Sequence, residues 1–171
     1  MHTKNRSTGF SAAMVVLLSL FVLAVVSTAG AETPLPRFAD HPVKERFTGK
    51  PALPDFANNK DARRYKSRIR EGAKQGPNFA GKYTIIEWGC GSQCQSFAIV
   101  DAKTGAIYSP PFTSSWGLLY RLDSNLLIAD PVSSEALANG NVPAWLVTGF
   151  YTWDGKQLNK IAESSSRVTE P

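Results

Sequence analysis

Hydrophobic and polar positions along this chain fall into three regimes. Residues 12–26 (AAMVVLLSLFVLAVV) run apolar and uncharged. Over Asn59–Gln75 the pattern changes to helical spacing: Ala62, Tyr65, Ile69 and Ala73 share one narrow stripe, with charged residues on the other faces. Asn58 or Asn59 can cap the start of that helix, and Gly76-Pro77 can stop it. From Gly81 onward, short β-branched and aromatic runs alternate with turn residues. Strands are expected at 82–88, 96–100, 106–108, 117–122, 126–129, 144–153 and 156–162. Turns at 101–105, 123–125 and Asp154-Gly155 join three hairpins. Short links make neighbours pair antiparallel. The expected fold is α+β: an antiparallel β meander of about six or seven strands, with one N-terminal basic amphipathic helix on one face or end.

The first regime reads as an address. Lys4 and Arg6 precede the apolar run, and Ala29-Gly30-Ala31 follows it with the small residues of a signal-peptidase site. The expectation is a secretory signal peptide cleaved after Ala31. The competing reading is a retained anchor, since Phe10 to Ala31 approaches the roughly 20 apolar residues of a membrane span. Cleavage leaves a mature chain in the periplasm or outside the cell, with no stable membrane insertion. Pro34, Pro36, Pro42, Pro51 and Pro54 make residues 32–56 an extended arm, loose or wrapped around the domain. Residues 57–162 form the expected single domain. Residues 163–171 (ESSSRVTEP) carry no apolar pattern and read as a flexible tail.

Composition excludes several classes. A chain that is 43% hydrophobic and 19% charged is too apolar for disorder. Thirteen Gly and eleven Pro without a period are neither collagen-like nor coiled coil. Charge is informative through its placement. Residues 60–74 hold seven Lys and Arg against two acids, a balance of +5 that equals the net charge of the whole chain. Such a helix is either an ordinary solvated face or a contact for an anionic polymer, with Arg63, Arg64 and Arg68 as its candidate binding residues. Export argues against nucleic acid, so lipopolysaccharide, teichoic acid or a protein is the expected partner.

The two cysteines, Cys90 and Cys94, bracket Gly91-Ser92-Gln93. In an oxidising compartment the pair is expected to be a structural disulfide fixing a local shape. Cys90-Gly91-Ser92 superficially matches the papain-like C-G-S-C stretch, but Gln93 breaks the spacing. His41, the lone histidine of the mature chain, lies in the arm. L,D-transpeptidases set His and Arg close to their Gly-Cys pair, which is not the case here. Two Cys and one distant His fall short of a zinc site. With no phosphate-loop, dinucleotide, H-E-x-x-H or G-x-S-x-G pattern, neither cofactor nor metal is expected. Asp101, Asp123 and Asp154 sit in turns, where Asp serves its own backbone. Glu87 lies within a strand just before the cysteines and is the carboxylate least explained by a turn. Most aromatics sit at strand spacing, Trp145 included, and are assigned to packing. Trp116, after Thr113-Ser114-Ser115, is the one expected to be exposed as a binding anchor.

Taken together, Gly76-Pro77-Asn78-Phe79-Ala80-Gly81, the Trp88–Cys94 stretch and Val100-Asp101-Ala102-x-Thr104-Gly105 resemble a family of small uncharacterised bacterial exported proteins. The resemblance spans Arg63 to Tyr108. It implies a bacterial envelope setting and a Cys loop common to the group, and it contributes no catalytic residue. The functional expectation is a non-enzymatic envelope module binding a protein or an anionic component. The alternative is a small periplasmic hydrolase or cysteine-dependent enzyme with its site near Glu87 and the Cys90–Cys94 loop.

Overall fold

Side chains alternate across the first long strand, and each of its two faces acquires its own partner. The computed structural model describes residues 34–57 and 59–165. The expected leader and its cleavage site, the candidate cap Asn58, and residues 166–171 of the tail lie outside the described residues. Strands β1 (Tyr83–Gly91) and β2 (Cys94–Asp101) form an antiparallel hairpin, with Tyr83 opposite Asp101 and Gly91 opposite Cys94. β3 (Ile107–Tyr108) pairs with the other side of β2. A second antiparallel sheet contains β4 (Leu118–Tyr120), β5 (Leu126–Ala129), β6 (Thr148–Trp153) and β7 (Leu158–Ser164), in that spatial order.

The class is therefore α+β with seven strands among the described residues, but the expected single meander is two sheets of three and four strands. The break falls between Tyr108 and Leu118. Pro110 and Pro111 lie there, and proline has no N–H to continue a ladder. Two further corrections concern helices. In place of one continuous helix over 59–75, a 3₁₀ turn (Ala62–Tyr65) leads into α1 (Lys66–Ala73). Tyr65, at φ −110° and ψ 22°, interrupts the helical geometry between them. Asn59 Oδ1 accepts from the Ala62 N–H at 2.9 Å, satisfying a donor at the start of the turn. A short α2 (Ser134–Ala138), capped by Ser133, lies between β5 and β6, where the sequence reading places no element. The strand expected from Ala144 begins only at Thr148, and β7 extends past 162 to Ser164.

Three apolar clusters stack through the molecule. Ile86, Trp88, Ala98 and Val100, on one face of the first sheet, pack against Ala62, Ile69 and Ala73. Gly72 lets α1 settle on the sheet, since a Cβ there would lie 2.5 Å from Ile86 Cγ1. The opposite face presents Tyr83, Ile85, Phe97 and Ile99 to Leu127, Ala129 and Trp153 of the second sheet. On the far face of that sheet, Leu126, Ile128 and Phe150 are covered by Phe38 and Leu35 of the arm.

The arm is thus wrapped rather than loose. His41 carbonyl accepts from the Asn125 N–H at 3.0 Å, and Val43 N–H donates to the Asp123 carbonyl at 3.0 Å. Farther along, Phe47 donates to Gly81, Ala52 to Ala102 and Asp55 to Gly105, each at 2.8 Å. Gly81 (φ +77°) and Gly105 (φ +78°) take conformations that L side chains rarely adopt, and both lie directly under the arm. A Cβ would come within 1.9 Å of the Glu45 carbonyl at the first and 2.1 Å of the Leu53 carbonyl at the second.

Candidate functional site

The segment after β3 shapes the surface around the basic turn and helix. Tyr108 pairs with Ile99, and farther on Ser114 exchanges hydrogen bonds with Gln95 at 2.7 and 2.9 Å. Six residue steps on the 108–114 side therefore face four on the 99–95 side, and the excess arches outward at Ser109–Thr113. Beneath this arch lies a cleft of about 420 Å³. Its lining comes from Asp61, Ala62 and Tyr65 of the basic segment, from Trp88, Ser96 and Phe97 of the first sheet, and from the arch itself.

Both ends of the arch are held. Asn59 Nδ2 donates to Ser109 Oγ at 2.9 Å. At the other end, Asp130 Oδ1 accepts from the Ser115 and Trp116 N–H groups at 2.6 and 2.7 Å and from Ser114 Oγ at 2.9 Å. Asp130 has a positive φ of 55°, and its carbonyl accepts from Thr148 Oγ1 at 2.7 Å. One carboxylate at the end of β5 thereby fixes the loop that crosses between the sheets. Nothing local in the sequence marks it, because its partners lie 14 to 16 residues upstream.

The aromatic lining is ordered. The Tyr65 and Trp88 rings lie 4.6 Å apart at 32°. Phe112 stacks on Tyr151 at 4.6 Å and meets Phe97 edge-on at 5.4 Å. Trp88 is 8% exposed, and its indole Nε1 is buried with no hydrogen-bond partner among the described residues.

The cations of the basic segment divide into two groups. Arg63 Nε and Nη2 donate to the Phe56 and Ala57 carbonyls at 3.0 and 3.2 Å. Lys66 and Arg70 lie over the Phe56 ring, 5.9 and 5.6 Å from its centre. These three clasp the end of the arm, so Arg63, a candidate binding residue, has a structural engagement. Lys74 pairs with Glu71 at 2.6 Å. Lys60, Arg64 and Arg68 are exposed and have no partner among the described residues.

Glu87 and Trp88 are adjacent in sequence but serve opposite faces of β1. Glu87 points toward the second sheet, where Tyr120 Oη donates to its Oε1 at 3.2 Å. Burial raises the Glu87 carboxyl above the usual glutamate range, and the Tyr120 hydrogen bond offsets part of that. Burial and the neighbouring Glu87 push the Tyr120 hydroxyl up to about 12.

Cys90 and Cys94 form a disulfide with Cα atoms 5.1 Å apart. They sit at the tip of the β1–β2 hairpin, so the expected loop between strands is a continuation of the strands themselves. Trp116 is half-buried, with its backbone tied to Asp130. The exposed tryptophan is instead Trp145, at 58%. Neither Glu87, Trp116 nor the cysteines line the cleft under the arch. Turn roles hold for two of the aspartates. Asp101 accepts from the Lys103 and Thr104 N–H groups, and Asp154 from those of Lys156 and Gln157.

No protein-family model matches this chain, and comparison with curated proteins and with solved structures gives no match. Among the described residues no helix is long and apolar enough to cross a membrane, and no group of three or more His, Cys, Asp or Glu is placed to hold a metal.

Proposed function

We propose that this protein is an exported, non-enzymatic binding module of the bacterial envelope, and that it takes an anionic envelope component across the exposed cations of residues 60–74. The supporting observation is that Lys60, Arg64 and Arg68, unpaired among the described residues, lie on the segment that holds the whole net charge of the chain. Cations that lack internal partners remain available to phosphate or carboxylate groups, whose attraction they focus. The leader-like first 31 residues, the disulfide and the resemblance to small exported proteins support the setting.

The experiment is cosedimentation with lipopolysaccharide at low and high salt. The double variant Arg64→Glu/Arg68→Glu is expected to lose at least about tenfold in affinity, with a weaker salt dependence. Unchanged binding by the double variant would remove these residues from the site. Arg63 is left intact, because changing it would release the arm.

A further inference from the structure

We infer that the cleft beneath the Pro110–Pro111 arch binds a neutral sugar, one saccharide unit of the envelope component held by the adjacent cations. The inference rests on the proposed function for the source of the sugar, and on the cleft alone for its chemistry. Three features select that chemistry.

The first is the wall material. Tyr65 and Phe112 offer ring faces, Trp88 lies against Tyr65, and the two prolines add apolar surface. The apolar C–H face of a pyranose packs on such rings, and the stacking of Phe112 on Tyr151 fixes that ring in advance.

The second is the polar complement. The Asp61 carboxylate has no partner among the described residues and, when ionised, only accepts hydrogen bonds. Ser96 and Thr113 contribute hydroxyls that donate or accept. Buried Trp88 Nε1 is a donor without an acceptor. It is sealed from solvent in the free protein, so a ligand oxygen can meet it only if the cleft wall shifts. Vicinal hydroxyls supply donors for the carboxylate and acceptors for the indole from one molecule.

The third is charge. Among the described residues, Asp61 is the only charged one lining the cleft, which disfavours an anionic group inside it. A cationic ligand would suit an aromatic pocket with a carboxylate, but Lys60, Arg63 and Arg64 flank Asp61 in sequence and oppose it. A neutral ring satisfies both limits. The volume, about 420 Å³, falls in the range of roughly 300–1,000 Å³ usual for small-ligand sites.

The test follows the four indole N–H resonances of the ¹⁵N-labelled protein, that of Trp88 being assigned with Trp88→Phe. Diacetylchitobiose, cellobiose and maltose are titrated separately to about 20 mM, well above a dissociation constant of about 1 mM. The Trp88 resonance is expected to move saturably with at least one of them. Asp61→Asn, an exposed and nearly isosteric change, is expected to weaken that sugar about tenfold, the scale of one charge-assisted hydrogen bond. The Arg64→Glu/Arg68→Glu variant is expected to keep the sugar response. No movement with any of the three sugars, an unchanged response in Asp61→Asn, or movement with choline chloride alone would each overturn the inference. Loss of the sugar response with lipopolysaccharide binding intact would defeat only the cleft. A retained sugar response without lipopolysaccharide binding would defeat only the cationic face.

Discussion

Tyr120, on the second sheet, donates its hydroxyl proton to Glu87 on the first, at 3.2 Å. Burial keeps the proton of Glu87 in place to a higher pH in the folded protein than in the unfolded chain. Its contribution to stability is therefore full at low pH, where the carboxyl is protonated in both states. That contribution is lost as pH rises through the raised folded value. Glu87→Gln should flatten this part of the profile and be at least as stable as the parent at about pH 8. Urea midpoints across about pH 4–8 would read this directly, and a Glu87→Gln profile as steep as the parent's would refute it. Tyr120 acts in the alkaline range: its folded value near 12 means stability falls between about pH 10 and 12, and Tyr120→Phe should remove that fall.

Asp130 should behave as a structural anchor. Replacing it with Ala strands the Ser115 and Trp116 N–H donors and leaves a residue without a bonding side chain at positive φ. A loss of about 3 kcal/mol is expected. Asp130→Asn, which keeps an acceptor and tolerates that backbone conformation, should lose less. Chemical denaturation separates the two, and equal losses would count against the clamp.

The disulfide closes a very small ring at an exposed hairpin tip, so its removal should be mild. Chain-entropy arguments give about 2 kcal/mol for a five-residue loop. The Cys90→Ser/Cys94→Ser protein should fold, with a lower melting temperature and unchanged far-ultraviolet circular dichroism. Global unfolding would show that the tip governs more than its own shape.

Gly81→Ala places a methyl group against the Glu45 carbonyl in a strained conformation. Destabilisation by more than about 1 kcal/mol is expected. The added signature should be faster trypsin cleavage at Lys44 and Arg46 as the arm lifts. Destabilisation with unaltered cleavage would place the strain elsewhere.

Much of the fold is legible locally. Short β-branched, aromatic or apolar runs bounded by turn residues mark β1, β2, β5 and β6, and the aspartates at 101 and 154 mark their own turns. The hairpin at 154–155 is longer than the two-residue signal implies, because Asp154 also bonds the Lys156 and Gln157 N–H groups. The division into two sheets is less visible, since it depends on how an arch of prolines displaces a strand that resumes at Ser114. The site is less legible still. Trp88 reads as packing and Tyr65 as a helix stripe, and only the three-dimensional pairing of those rings under the arch makes a cleft. Glu87 and Arg63 attract notice by type, yet their partners, a phenol 33 residues away and two arm carbonyls, give them other work.

The wrapping of residues 34–57 also sets an order of events. Their docking places are the turns at Gly81, Gly105 and Asp123-Ser124-Asn125, which exist only after the hairpins carrying them have closed. Phe38 further needs Phe150, more than a hundred positions later. Residues 47–55 can thus dock as soon as the segment through Ala106 is in place, whereas Leu35 and Phe38 wait for β6.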